Sequence, residues 1–220
     1  MPRRPSSCII AQWPLAIGLI GCVLLAACSD PERARVKATT QLTYDKTTGR
    51  LSVVTADLNK NGKIDTWTYM DGTKILRSES DLDEDGKIDR WEYNSPDGKV
   101  LKVALSTRRT GKPDTWVYPD AEGQPARIES SSTGDEKKID HWEYYEHGKL
   151  VRTEDDTDGD GRPDKWEKHD GAAVLLSVEF DRDKDGVPDE RLLYDNKGLF
   201  MAIETQPDGH GGYKKKVSGR

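Results

Sequence analysis

The sequence predicts an all-β protein. Tandem β-hairpin repeats of about 25 residues form one twisted antiparallel meander, with acidic loops joining the hairpins. Three observations carry this. The chain repeats itself, with units beginning at Asp57, Asp81, Ser106, Ser132, Asp156 and Asp181 and a fading copy at Gln206, spaced by 24, 25, 26, 24, 25 and 25 residues. Within a unit, residues alternate with period two: Asp89, Trp91 and Tyr93 fall on one face, Arg90 and Glu92 on the other. Turn-forming clusters such as Ser95-Pro96-Asp97-Gly98 separate the alternating runs.

The N-terminal segment comes first. Arg3 and Arg4 precede a mostly apolar run, Ile9 to Leu25, which ends in Leu25-Ala26-Ala27-Cys28. That is the layout of a secretory signal. Gln12 and Pro14 interrupt the run, which is near the minimum spanning length, and this argues against a transmembrane anchor. The L-A-A-C ending resembles the lipobox of bacterial lipoproteins. The resemblance implies that residues 1–27 are removed and that Cys28 is diacylated. The chain would then be anchored to a membrane of the cell envelope through that lipid. Ser29, rather than Asp, follows the cysteine, and in lipoproteins of enteric type this implies the outer membrane.

Residues 28–41 then form the lipidated Cys and a polar tether, SDPERARVKATTQ, spanning about 20 Å as a flexible chain. With the signal removed, 34 basic residues become 32 against 40 acids, a net charge of −8 with His neutral. Such a surface suits cations and argues against nucleic acid or anionic lipid as partners. Cys8 and Cys22 leave with the signal and Cys28 carries lipid, so no disulfide forms in the mature chain. Only 34% of residues are hydrophobic, signal included. Stability must come from a thin core, from metal, or from both.

The repeat domain covers residues 42–205. A half unit, LTYDKTTGRLSVVTA, opens it, and its Y-D-x-x-x-G-R-L stretch (Tyr44 to Leu51) resembles the YD repeats of RHS proteins, which are also hairpin repeats. Each full unit then reads as an acidic loop, a strand with the pattern I/P-D-x-W-x-Y, a tight turn, and a second strand. Leu101, Val103 and Leu105 alternate in one second strand, Leu176, Val178 and Phe180 in another, and Met201 and Ile203 in a third. This gives about fourteen strands. Trp67, Trp91, Trp116, Trp142 and Trp166 hold one place in five consecutive units and line one face, roughly 10 Å apart. That face needs a cover: curling of the sheet, a second layer, or a partner. A propeller fits poorly, because its four-stranded blades need twice this unit length. Residues 206–220 read as a degenerate repeat and a flexible tail.

The loops carry the chemistry. Calcium takes six to eight oxygens, best supplied from alternate loop positions with Gly at the sharp sixth. Three loops have the full D-x-D-x-D-G-x-x-D pattern: Asp81, Asp83, Asp85 and Asp89; Asp156, Asp158, Asp160 and Asp164; Asp181, Asp183, Asp185 and Asp189. A fourth, Asp57, Asn59, Asn61 and Asp65, replaces two carboxylates by amides and should bind more weakly. The pattern resembles EF-hand loops and the calcium loops of thrombospondin type 3 repeats. The EF-hand's Glu at position 12 is not general, since Glu92 and Glu167 stand there but Leu192 does too. On a strand that position also faces away from position 9. Affinity should be modest, on the order of 10⁻⁴–10⁻³ M.

Two loops have lost the pattern: Ser106, Arg108 and Thr110, and Ser132, Gly134 and Glu136. Both keep the ninth-position acid, Asp114 and Asp140, so this Asp has a second role, accepting backbone N–H groups. Arg108 places a cation where the metal is lost. The four His show no ligand or triad spacing and read as surface residues, and no nucleophile or phosphate-binding motif is present. The expected function is a non-enzymatic, calcium-binding structural or interaction module with a protein or glycan partner. One alternative is a glycan-binding protein stacking sugars on the Trp row. Another is an accessory subunit of a cell-envelope enzyme.

Overall fold

The computed structural model describes residues 39–219. The signal segment and Cys28 lie outside the described residues, as does the tether up to residue 38. Among the described residues no helix is long and apolar enough to cross a membrane.

The described residues fold into one open sheet of fifteen strands, ordered β1 to β15 without a crossover, every neighbour antiparallel. Strands β1 (Thr40–Tyr44) and β2 (Leu51–Ala56) form the opening half unit. The hairpins follow as β3 (Thr66–Asp71) with β4 (Lys74–Ser80), β5 (Arg90–Asn94) with β6 (Val100–Leu105), and β7 (Thr115–Pro119) with β8 (Pro125–Ser130). Then come β9 (His141–Glu146) with β10 (Lys149–Asp155), β11 (Lys165–His169) with β12 (Leu175–Phe180), and β13 (Glu190–Tyr194) with β14 (Phe200–Pro207). At about 4.8 Å per strand the sheet is roughly 67 Å wide.

Two sequence expectations change. The segment read as a flexible tail contains strand β15 (Tyr213–Ser218), paired with β14 from Ala202↔Ser218 to Pro207↔Tyr213. The fourth repeat begins one residue earlier than the sequence suggests, at Ser131. Its amide bonds the carbonyl of Asp114 (2.9 Å), as Ser106 bonds Asp89 (2.8 Å) and Asp156 bonds Asp140 (3.0 Å). The loop from Ser131 to Asp140 therefore holds ten residues where the others hold nine.

Each hairpin carries a register shift close to its tight turn, at Tyr69/Met70, Tyr93/Asn94, Tyr118/Pro119, Leu150/Arg152, Lys168/His169 and Leu193/Tyr194. Such bulges add twist. The wide acidic loops then all gather along one edge of the sheet and the tight turns along the other.

Among the described residues no second layer covers either face, and the sheet is its own core. Cross-strand register shows how. The Trp row forms a ladder with the strands between: Trp67↔Glu79↔Trp91↔Ala104↔Trp116↔Glu129↔Trp142↔Glu154↔Trp166. Glutamates, not a partner layer, flank most of the indoles. Trp116, beside Ala104, is 2% exposed; the other four are half-buried. A second row stacks cations on tyrosines. Arg77 lies 4.1 Å over Tyr69, Arg127 4.5 Å over Tyr118 and Arg152 4.1 Å over Tyr144. Each Arg also pairs with the Glu two residues on: Glu79 (2.9 Å), Glu129 (3.2 Å) and Glu154 (2.9 Å). The aliphatic residues of the second strands face the opposite side, where Val103↔Val117↔Ile128 and Val178↔Leu192↔Ile203 form two apolar blocks. Splitting apolar area between two faces leaves neither hydrophobic enough to demand a cover.

Between those blocks lies a charged one. His141 bonds Asp155 (Nδ1 to Oδ1, 2.6 Å) and approaches Glu143 (3.3 Å); Lys165 pairs with Asp155 (3.0 Å) and Glu167 (2.6 Å). Hydrogen bonds to Asp155 and Glu143 raise the His141 pKa to about 9. His141 is thus a cation in an ion network, not the isolated surface residue its sequence context suggests.

Candidate calcium sites

Every acidic loop is built on nested side-chain-to-backbone hydrogen bonds. The first residue caps the sharp turn: Asp57 accepts from Gly62 N (2.8 Å), Asp81 from Gly86 N (3.0 Å), Asp156 from Gly161 N (2.8 Å) and Asp181 from Gly186 N (2.7 Å). These four acids are buried. The third residue accepts from the fifth, as Asp83 does from Asp85 N (3.3 Å) and Asp158 from Asp160 N (3.1 Å). The fifth accepts from the seventh, as Asp85 does from Lys87 N (2.8 Å), Asp160 from Arg162 N (2.8 Å) and Asp185 from Val187 N (2.8 Å). Glycine at position six takes φ near +90°, as at Gly62 (94°), Gly86 (86°), Gly161 (92°) and Gly186 (88°), a region closed to most side chains.

The ninth-position Asp behaves as the sequence argues. In all six loops the carboxylate of this last Asp, the tenth residue in the Ser131 loop and the ninth elsewhere, accepts amides at the loop's start. Asp65 accepts from Leu58 (3.0 Å) and Asn59 (3.3 Å), Asp89 from Leu82 (2.8 Å) and Asp83 (3.3 Å), and Asp189 from Arg182 (2.7 Å) and Asp183 (3.2 Å). Asp164 accepts from Thr157 N (3.2 Å) and Asp140 from Ser132 N (2.9 Å). In the loop at Ser106, Asp114 accepts from Thr107 N (3.0 Å) and Arg108 N (3.1 Å). Burial raises the Asp114 pKa, but hydrogen bonds from Thr107 and Arg108 outweigh it and hold the carboxyl below its usual range.

In the Asp156 and Asp181 loops the first Asp accepts amides on both of its oxygens, whereas in the Asp81 loop only Oδ2 is engaged. Oxygens of Asp81, Asp83 and Asp85 lie within 4.8 Å of one another, as do those of Asp156, Asp158 and Asp164 and those of Asp181, Asp183 and Asp189. Two oxygens on opposite sides of one calcium ion sit about 4.6–5.2 Å apart, so each trio fits around a single ion. Asp89, Asp160 and Asp185 lie outside these trios. In the Asp57 loop only Asp57 and Asp65 are acids; Asn59 and Asn61 instead hydrogen-bond Glu84 of the next loop. The Asp81 Oδ1 atom is buried and has no hydrogen-bond partner. In the Asp181 loop, desolvation and repulsion from Asp185, Asp189 and Asp181 raise the pKa of Asp183. The position-12 acids take no part: Glu92 pairs with Arg90 (2.6 Å) and Glu167 with Lys165, on the opposite face.

In the Ser106 loop, one of the two where the pattern is lost, a side-chain cation sits on the last Asp. Arg108 binds Asp114 (Nε to Oδ2, 3.2 Å) and reaches the Ser131 carbonyl (3.1 Å) and the Ser132 carbonyl of the following loop. A Cβ on Gly134 would sit 3.0 Å from the Arg108 guanidinium, so glycine there makes room for the arginine. Around it lies a shallow cavity of about 300 Å³ lined by Arg108, Asp114, Asp140, His141 and the hydroxyls of Thr107, Thr115 and Ser130–Ser132. The Trp row offers sugars little: Trp116 has almost no free surface, and each indole lies beside at least one cross-strand Glu or Ala104.

No family model matches the chain, and no curated protein matches it. Among solved structures, it is similar to part of a point mutant of S. aureus TarM in complex with fondaparinux, α-GlcNAc-glycerol and UDP. That likeness has a TM-score of 0.28 and 14% identity over 65% of this chain and 23% of that one. It is also similar to part of accessory secretory protein 1,2 and 3 of Streptococcus pneumoniae, with a TM-score of 0.19 and 12% identity over 66% and 19% of the two chains. For the Photorhabdus luminescens Tc holotoxin pore, the TM-score is 0.21 and the identity 15% over 78% and 12%. This chain spans less than a quarter of each of those chains, and their activities are theirs alone.

Proposed function

We propose that this is an exported, non-catalytic lipoprotein, held at the outer membrane by lipid on Cys28. Its repeat sheet is stiffened by calcium in the loops at Asp81, Asp156 and Asp181, and more weakly at Asp57. The rigid sheet serves as a structural or interaction module for a protein or glycan of the cell envelope.

One observation carries the calcium reading. Asp81 is 7% exposed, its Oδ2 is engaged by Gly86 N at 3.0 Å, and its Oδ1 is buried without a partner beside Asp83 and Asp85. An unsatisfied carboxylate oxygen at that depth costs several kcal/mol unless a cation meets it. Calcium suits an all-oxygen donor set with no His or Cys.

Asp81→Asn keeps the side chain's shape and its bond to Gly86 while removing one charge. Calorimetric titration should show one calcium site weakened about tenfold. An unchanged isotherm would overturn the assignment of that loop. The anchor is tested separately: radiolabelled palmitate should mark the wild-type protein and not Cys28→Ser.

A further inference from the structure

The loops stack side by side along one sheet edge, and their fourth residues connect them. Lys60, Glu84, Arg109 and Lys184 all hold left-handed backbone, with φ of 64°, 59°, 55° and 65°. Such a conformation is uncommon outside glycine. Three of these side chains reach back onto the preceding loop. Glu84 meets Asn59 and Asn61. Arg109 pairs with Asp83 at 3.4 Å. Lys184 pairs with Asp158 and is held there by the charges of Asp160 and Asp164.

The signs follow a rule. The Asp57 loop has two acids at its ligand positions and receives a carboxylate, giving −3. The Asp81 loop has four and receives a guanidinium, giving −3 before its own Lys87, which pairs with Asp85 at 3.2 Å. The Asp156 loop has four and receives an ammonium, giving −3. The Asp181 loop keeps its full −4, because the turn after it, Asp208–Gly212, has a glycine, Gly211, as its fourth residue and so no side chain to donate. Between the Asp156 and Asp181 loops lies a cavity of about 20 Å³, lined by Asp158, Asp160, Asp164, Asp181 and Lys184. That is room for one water-sized sphere.

We propose that the fourth residue of each loop sets the cation affinity of the loop before it, and that Lys184 is a built-in competitor for calcium at the Asp156 site. This rests on the calcium reading above. The ammonium occupies Oδ2 of Asp158, a carboxylate that a calcium ion also needs, so the ion enters only as Lys184 swings out. The Asp181 site, with no such competitor, fills first.

Calcium titration of the ¹⁵N-labelled protein, followed by NMR at the amides of Gly86, Gly161 and Gly186, reads three loops separately. Lys184→Asn retains a residue tolerant of left-handed backbone. It should tighten calcium binding at Gly161 about tenfold and leave Gly86 unchanged, as expected for removing one charge about 5 Å from a divalent ion. Arg109→Asn should do the reverse. Lys60→Asn removes the same charge from a loop with no other acidic loop before it among the described residues, and should alter neither. A Gly161 midpoint within twofold of wild type in Lys184→Asn, or equal shifts at every glycine, would overturn the proposal while leaving calcium binding standing. Absence of any calcium response in the wild-type protein would overturn both.

Discussion

Replacing Asp114 by Ala separates the loop's backbone role from any metal. The Asp114 carboxylate is 3% exposed and accepts from Thr107 N at 3.0 Å, Arg108 N at 3.1 Å, Thr107 Oγ1 at 2.6 Å, Arg108 Nε at 3.2 Å and Thr115 Oγ1 at 3.1 Å. In the variant the hydroxyls and the guanidinium turn to water. The two part-buried amides lose their only acceptor within the loop. A hydrogen bond to a charged group is worth about 1.5–3 kcal/mol, so the two lost bonds cost roughly 3–6 kcal/mol. For a domain of this size each kcal/mol moves Tm by about 2–4 °C, giving a fall of about 10 °C. Thermal melting followed by tryptophan fluorescence reads it directly, because Trp116 lies two residues away. The fall should be the same in calcium and in excess chelator, since the Ser106 loop lacks the ligand acids. A shift below about 3 °C, or one that calcium erases, would refute the reasoning.

Arg108→Ala should cost about 1 kcal/mol in urea denaturation. It removes the bridge to the Ser131 and Ser132 carbonyls, but the guanidinium is 45% exposed and its ion pair is screened. Trp116→Ala should cost about 3–5 kcal/mol by the same assay, and Trp166→Ala clearly less, because the former is buried and the latter half-buried. His141 makes stability pH-dependent. Its folded pKa, about 9, lies above the usual value of 6.5, so its contribution is complete below about pH 6.5 and is lost as pH rises through 9. Discounted for partial exposure, that amounts to roughly 1–2 kcal/mol. The loss between pH 6.5 and 9 should vanish in His141→Gln.

The hairpin repeat was legible because both of its signals are local. Period-two alternation and a turn cluster each need fewer than ten residues, and the repeat shows them six times. The calcium pattern was legible for the same reason. What escaped depends on cross-strand register. The R-x-E runs at Arg77–Glu79, Arg127–Glu129 and Arg152–Glu154 show their purpose only opposite W-x-Y, where they ride on tyrosine and flank tryptophan. Strand β15 was missed because Lys214–Lys216 breaks the apolar alternation; Lys216 belongs there because Glu204 stands opposite it at 3.1 Å. The extra residue before Asp140 displaced the apparent start of the fourth repeat from Ser131 to Ser132. His141 looked isolated because its partner Asp155 lies 14 residues on, and Lys165, which shares that acid, 24 residues on. The fourth loop position looked like noise, since it holds Lys60, Glu84, Arg109, Gly134, Gly159 and Lys184 in turn.

The most direct test of the central claim is a calcium titration of the purified protein, by calorimetry and by melting. Three to four ions should bind with dissociation constants of about 10⁻⁴–10⁻³ M. At about 10 mM calcium each site with a constant near 0.5 mM adds about 1.8 kcal/mol, so three sites add about 5 kcal/mol and raise Tm by at least 10 °C. No saturable heat up to about 10 mM calcium, with an unchanged Tm, would contradict the account: the loops would then be acidic turns held by their own backbone hydrogen bonds.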